Sequence, residues 1–323
     1  MYVDPIRRGV QDPVTRLEVV RETATTAVFD GHNGMGQVIA RRAMALAIEK
    51  AQRHGLGMTA VRNSNHYGIA GYYARMATDA GLIGITGTNA RPAVAPTFGV
   101  EAMLGTNPLC FGMPSDEPFP FVLDCATSMV QRGAVEIHAR RGTPVPPGWV
   151  IDAEGRSGAA DAQGVLSDLV AGRAALLPLG GAGKEGGGHK GYGYATVVEI
   201  LSAALQTGSF LHQLAAVEDG RPVPRRNGHF FLAVSVEAFT DGVSLRRTVG
   251  DILRQLRASR RAPGCERIYT AGEEEHEAAV ERERTGVPLS PSLQREVLAL
   301  AADLGLPDAE VPFSPRPRPA SAG

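Results

Sequence analysis

The chain has 323 residues, 43% of them hydrophobic and 21% charged, with a net charge of −1. That length can bury one large core or two interleaved ones, and the near-neutral charge excludes a global field that would gather nucleic acid or an anionic membrane. The three cysteines, Cys110, Cys125 and Cys265, are far apart and odd in number, which excludes a disulfide framework or a paired metal site and makes a reducing cytoplasm the expected location.

No apolar run approaches the length of a membrane span, and the opening MYVDPIRRGV lacks the apolar core of a signal peptide. In chain order, Val19–Val20 and Ala27–Phe29 are predicted short strands. GHNGMG (Gly31–Gly36) lacks the GxGxxG order and reads as a plain turn. A helix is predicted over Gln37–Arg53, with Gly55 as its terminator. Gly57–Val61 is a predicted strand, Ala70–Ala80 a helix and Leu82–Thr88 a buried strand. This alternation is the pattern of a sheet covered by helices.

Arg91–Pro120 is rich in Gly and Pro and reads as irregular. Phe121–Leu123 is a predicted strand ending on Asp124, and Met129–Arg140 a helix. RRGTPVPPGWVIDAEGRSGAADAQG is loop by composition. LLPLGGAGKEGGGHKGYGYA is a glycine loop leading into a helix over Tyr192–Leu205. His229–Val234 and Arg267–Tyr269 read as strands, and Asp251–Ser259, Glu273–Thr285 and Pro291–Leu304 as helices. FSPRPRPASAG reads as a flexible tail.

The candidate chemistry starts with His66, in the run RNSNHYGIAGYYARMA at a strand-to-helix junction. Its ordinary pKa near 6.5 suits a group that takes and returns a proton at neutral pH. In FVLDCATSM, the carboxylate of Asp124 could hold a ribose hydroxyl or orient a cation. Equally, Asp124, Thr127 or Ser128 could simply cap the next helix. GTNP (Gly105–Pro108) makes a rigid turn of structural or functional use. The glycines of Gly180–Gly193 allow close backbone approach to a phosphate at a helix start, with Lys190 as a charge. The run is neither a Walker loop nor a dinucleotide fingerprint. GEEEHE (Gly272–Glu277) is the acidic first turn of a helix. The histidines show no paired spacing, so no metal site is expected.

Several blocks together resemble a known family: DGHNGMGQVIARRAM, AVRNSNHYGIAGYYARMATDAGLIGI, TNARPAVAPTFG, LGTNPLCFGMP, FVLDCATS, LLPLGG, GGHKGYGYATVVEIL and AGEEEHEAAVERERTGVPLS. They are similar, in order, to the malate/L-lactate dehydrogenases that lack a Rossmann fingerprint. That family also includes ureidoglycolate, sulfolactate and diketogulonate oxidoreductases and piperideine-carboxylate reductases. The resemblance implies an α/β fold, a mixed sheet with covering helices. It implies a catalytic and dimerisation region over residues 1–83 and 226–310, an inserted cofactor region over 84–225, and a tail over 311–323.

It also implies roles for single residues. His66 matches the family's catalytic acid/base. Asp124, Cys125 and Ala126 match the stretch lining the dinucleotide. Lys190, with His189 beside it, matches a cofactor-contacting lysine, and Gly272, Glu273 and Glu274 match a cofactor loop. Ala90 falls where members often carry a cofactor-binding serine. The implied activity is NAD- or NADP-dependent interconversion of a small, malate- or lactate-like 2-hydroxy acid and its 2-oxo acid by a homodimer, with no nucleic-acid or membrane partner. Reduction of a cyclic imine carboxylate is the alternative.

The sequence departs from the family at Ala134, where lysine is typical, at Cys125, where methionine is usual, and in AGKEGG, an apparent insertion before His189. Members also carry an N-terminal Ser-His-Gly and arginine, and no Ser-His-Gly occurs in these 323 residues. The expectation is then either a start assigned downstream of that segment, or a catalytically impaired, truncated remnant that still binds nucleotide.

Overall fold

The structure, a computed structural model, describes residues 2–158 and 161–306. It divides into two compact units, Met1–Glu273 and Glu274–Gly323. The first unit opens with helix α1 (Val3–Arg7), β1 (Glu18–Glu22), β2 (Thr26–Asp30), α2 (Gly36–His54) and β3 (Leu56–Ser64). Next come α3 (Ala70–Asp79), β4 (Leu82–Thr88), β5 (Leu109–Met113), β6 (Phe121–Cys125), α4 (Arg132–Arg141) and β7 (Val150–Asp152). It closes with α5 (Ala162–Ala171), β8 (Ala174–Leu176), α6 (Gly188–Ala203), β9 (Val217–Glu218), β10 (Arg221–Pro222), β11 (Asn227–Ser235) and α7 (Gly242–Ala258). α8 (Glu273–Thr285) begins at the boundary residue, and α9 (Pro291–Asp303) follows in the second unit.

Seven strands form one mixed sheet in the order β1-β2-β3-β11-β4-β5-β6. β2 and β3 run parallel, and every other neighbouring pair is antiparallel. The arithmetic of directions sets the site. The C-terminal ends of β2, β3, β4 and β6 share one edge with the N-terminal ends of β5 and β11.

The core lies under α2 and α3. Ile39, Ala40, Ala43, Met44, Ala47 and Ala51 recur at helical spacing on α2 and are fully buried. The alanines let α2 lie close on the sheet, against Val61, Phe231 and Ala233. α3 supplies Ala70, Tyr73, Ala74 and Ala77 to the same core. α2 ends where expected, at Gly55, whose φ of 84° is the left-handed cap that glycine adopts without penalty. A smaller layer holds the β7–β8 pair, with α4 and α5 packed around Val135, Val145, Ala162 and Val165.

The predicted alternation over residues 37–88 matches α2, β3, α3 and β4. Several expectations change. The irregular stretch 91–120 contains β5, masked because LCFGM is short and flanked by Pro108 and Pro114. α5 begins inside a segment read as loop, capped by Asp161, whose side chain accepts from the Gly164 N–H. α7 starts nine residues earlier than Asp251, because Asp241 caps it through Ser244 N at 2.8 Å. Arg267–Tyr269 is not a strand. The tail assigned to 311–323 lies outside the described residues.

Candidate active site

His66 stands two residues beyond the end of β3, at the shared sheet edge. Its loop is pinned from below. Asn65 Nδ2 donates to Asn33 O at 3.0 Å, Asn33 Oδ1 at 2.9 Å and Gly34 O at 2.9 Å. Asn63, with φ of 52°, donates through Nδ2 to Asp30 at 2.8 Å, and Arg62 pairs with the same carboxylate at 2.9 Å. GHNGMG is therefore the floor of the His66 loop. Gly36 is indispensable there, since a Cβ would sit 2.3 Å from Asn65 O and 2.4 Å from His66 O.

The His66 ring is exposed on one side. Its Nδ1 lies 2.8 Å from the Tyr2 hydroxyl, and the Gly68 N–H points at the same nitrogen from 3.3 Å. Nε2 has no hydrogen-bond partner among the described residues. The Gly68 N–H can only donate, so these contacts favour the neutral tautomer in which Nδ1 accepts, from Gly68 and from the Tyr2 hydroxyl, and Nε2 carries the proton. The pKa of His66 is lowered, first by the water its surroundings displace and then by the charge of Arg225. The ring is thus held towards the neutral form, the form a base needs.

A second histidine stands behind it. His229, fully buried, has Nδ1 2.7 Å from Thr88 Oγ1 and Nε2 2.7 Å from Ser64 Oγ. Thr88 donates its own proton to backbone carbonyls, so His229 carries its proton on Nδ1 and accepts from Ser64. Burial pushes its pKa down to about 3. The ring stacks on Tyr67 at 4.6 Å, which fixes the residue next to His66.

The predicted residues fall as follows. Asp124 lies inside β6, paired with Cys110, and caps no following helix, since α4 begins after Gln131. Its Oδ2 accepts the Gly71 N–H at 2.7 Å, which ties the end of β6 to the first turn of α3 and so to the His66 loop. Cys125 and Ala126 follow on the same edge, half-buried. Burial and then the Asp124 charge raise the Cys125 thiol pKa, so it is no nucleophile at neutral pH. Ala90, one residue past buried Asn89, gives its N–H to Asn107 Oδ1 at 3.2 Å. Asn107, of the GTNP turn, also donates to the buried Glu199 of α6 at 2.8 Å.

α6 starts at Gly188 rather than Tyr192, so His189 and Lys190 are in its first turn. The loop before it is wound tightly: a Cβ on Gly191 would stand 2.1 Å from Leu179 O. The N–H groups of His189 and Lys190 are taken by Gly183 O and Gly187 O. That removes two donors a phosphate would have used and leaves the exposed ammonium of Lys190, which has no ion-pair partner among the described residues. Leu179 bonds back to Thr127 O at 2.9 Å, which joins this loop to the chain leaving β6.

Gly272, with φ of 93°, turns the chain against β6, where Val122 N bonds Ala271 O at 3.3 Å. Glu273 is buried. Burial would raise its pKa, but the Thr270 N–H, Arg267 and Arg257 together hold it at about 2. Its oxygens are occupied, so its part is to fix this turn. Glu274, exposed, opens the second unit. A cavity of about 550 Å³ opens along α6 between Tyr192, Thr196, Glu199, Ile200 and Phe210; His66 is not among its lining residues.

Comparison with known proteins decides the family. The malate/L-lactate dehydrogenase family matches residues 1–298. The chain belongs to that family. It is 40% identical over 310 residues to the malate dehydrogenase of Pyrococcus abyssi, covering 96% of this chain and 83% of that protein. It is 34% identical to the L-sulfolactate dehydrogenase of Methanocaldococcus jannaschii, covering 94% of this chain and 83% of that one. The crystal structure of malate dehydrogenase from Entamoeba histolytica superposes with a TM-score of 0.91 at 43% identity, covering 97% of this chain and 85% of that chain. As a member of this dehydrogenase family, the chain is an oxidoreductase that acts on CH–OH groups and interconverts hydroxy acids and oxo acids.

The residues present fit a dinucleotide. The side chains of Ala90 and Ala126 are small, the 180–191 backbone is compact, and Lys190 offers a charge with no ion-pair partner among the described residues. Tyr2, Arg91, Arg225 and His229 were not singled out in the sequence. Arg91 and Arg225 are two among 33 lysines and arginines. Only their nearness to strand ends could have marked them. Among the described residues no group of three or more His, Cys, Asp or Glu could hold a metal, and no helix is long and apolar enough to cross a membrane.

Proposed function

We propose that the chain oxidises a small, malate- or lactate-like 2-hydroxy acid, and reduces the corresponding 2-oxo acid, with His66 as the acid/base and NAD or NADP as the cofactor. One observation carries the reading: the His66 loop and the Asp124 strand end are joined through the 2.7 Å bond to Gly71. That bond supports reading the His66 loop and the stretch 124–126, assigned to the cofactor, as parts of one site.

A bound nicotinamide supplies the hydride acceptor or donor. Lys190, Ala90, Asp124, Cys125 and Ala126 would hold the dinucleotide, with Gly272 and Glu273 keeping the neighbouring turn against β6. His189 and Glu274 complete the proposed cofactor set. Neutral His66 takes the hydroxyl proton in oxidation and returns it in reduction. Tyr2 orients the ring through Nδ1. Arg225 favours the neutral imidazole and so keeps the base ready at neutral pH. The proposed organisation keeps 84–225 as the cofactor region and 1–83 with 226–310 as the catalytic and dimerisation region, in a cytoplasmic homodimer.

The test is to mix the protein with NAD(H) or NADP(H) and a panel of 2-hydroxy acids, 2-oxo acids and a cyclic imine carboxylate, following nicotinamide absorbance. Turnover of a hydroxy acid supports the reading. Turnover of the imine alone replaces it with imine reduction.

A further inference from the structure

We infer that the cavity along α6 is a second binding site, apart from the His66 edge, for a small apolar molecule that carries a primary ammonium group, with the carboxylate of Glu199 as its ion-pair partner.

The state of Glu199 follows from its partners. Asn89 Oδ1 accepts the Gly228 N–H at 2.8 Å, and Asn107 Oδ1 accepts the Ala90 N–H at 3.2 Å. Each bond fixes the orientation of its amide, so both Nδ2 groups are turned to Glu199. Asn107 Nδ2 donates to Oε2 at 2.8 Å, Asn89 Nδ2 to Oε1 at 3.4 Å, and the Leu211 N–H to Oε1 at 3.0 Å. Every one of these partners is a donor, which favours the ionised carboxylate against the burial that opposes it.

That charge has no counter-charge of its own. Among the described residues the buried acids are Asp30, Glu199 and Glu273. Asp30 pairs with Arg62, and Glu273 with Arg257 and Arg267. Glu199 has only neutral donors, and no lysine, arginine or histidine lines the cavity beside it. A buried carboxylate without a cation is costly. It offers about four acceptor positions, and Oε2 is met by one donor where Oε1 is met by two, so Oε2 has room for another.

The cavity sets the rest of the ligand. Its volume of about 550 Å³ suits a small molecule. Leu104, Ile200, Phe210 and Leu211 make its wall apolar, and Ile200 and Phe210 are 54% and 47% exposed at its rim. A hydrocarbon would cover them. An anion, including a dinucleotide phosphate, meets only a negative charge here. A wholly apolar occupant would strip water from Glu199 and return nothing. A guanidinium fork asks for two free oxygens, whereas a compact ammonium needs one.

The test is calorimetric titration of the full chain with hexylammonium, hexanol and hexanoate, which share one tail and differ in charge. The wild type is compared with Glu199→Gln and with Ala204→Trp, which fills the cavity from its rim and leaves the asparagine network alone. Folding is checked by thermal melting and oligomeric state by sedimentation. Hexylammonium is expected to bind the wild type about tenfold or more tighter than hexanol, the worth of one charge-assisted bond, with hexanoate weakest. Glu199→Gln should bring the amine down to the level of the alcohol, and Ala204→Trp should weaken both. Equal binding of amine and alcohol by the wild type overturns the site whether or not a variant folds. So does an unchanged preference for the amine in Glu199→Gln, or displacement of the amine by NADH or NADPH, which would give the cavity to the dinucleotide. No amine binding overturns it too, and a wild-type dimer that dissociates in Ala204→Trp would then show a second copy seated there instead.

Discussion

The Tyr2 hydroxyl meets Nδ1 of His66 at 2.8 Å, between residues 64 positions apart in the chain. This bond orients the ring. Tyr2→Phe removes the partner and keeps the packing. kcat is expected to fall about three- to tenfold, the worth of one neutral hydrogen bond, with cofactor affinity retained. Single-turnover hydride transfer in the variant checks this. An equal loss in cofactor binding would mean that Tyr2 only supports the fold.

Burial, and then the charge of Arg225, lower the pKa of His66 from its ordinary 6.5. Oxidation requires the neutral ring. Its kcat/KM should therefore be flat above the folded pKa and fall as pH drops through it, with the midpoint below 6.5. Arg225→Gln removes a repelling charge, so the midpoint should move up towards 6.5 while burial still holds it lower. The position of the acid limb is the readout, whatever the absolute rate. A limb that stays put would place Arg225 too far away to act.

His229 makes stability pH-dependent. Its folded pKa is about 3, against 6.5 ordinarily. Between these values the unfolded chain binds a proton that the native one does not. Stability therefore rises with pH across this window and is lost as pH falls from 6.5 towards 3, by up to about 1.4 kcal/mol per pH unit. Glu273, held at about 2 rather than 4.5, adds a loss of the same sign only at lower pH. Denaturant unfolding at several pH values between 6.5 and 5 should show the slope, and His229→Gln should flatten it.

Gly36→Ala forces a methyl against Asn65 O and His66 O, both within 2.5 Å of the new Cβ. A stability loss of about 1–3 kcal/mol is expected by chemical denaturation, the usual range for forced overpacking. Because the clash is with the His66 backbone itself, kcat should fall as well. Gly133→Ala, with nothing within 4 Å, is the comparison that should leave packing alone.

What could be read in the sequence was local or blockwise. His66 stood out because it sits at a strand-to-helix junction, and Asp124 because an apolar run ended there. α2 was legible because its alanine-rich stripe and Gly55 are local signals. β5 was not, since five residues between prolines have no period to read. Tyr2, Arg225 and His229 owe their positions to tertiary packing. His229 meets Ser64 at a separation of 165 residues. Nothing in the residues around it announces that contact. Glu273 shows the converse: its motif was visible, but the Arg257 and Arg267 pairings that occupy its carboxylate come from tertiary packing.

The most direct measurement is hydride transfer by His66→Ala, with NADH and NADPH binding followed in parallel by fluorescence. Turnover of the hydroxy acid is expected to fall about a hundredfold or more while nucleotide affinity stays close to wild type. Turnover at the wild-type rate would contradict the assignment and move the proton to another group.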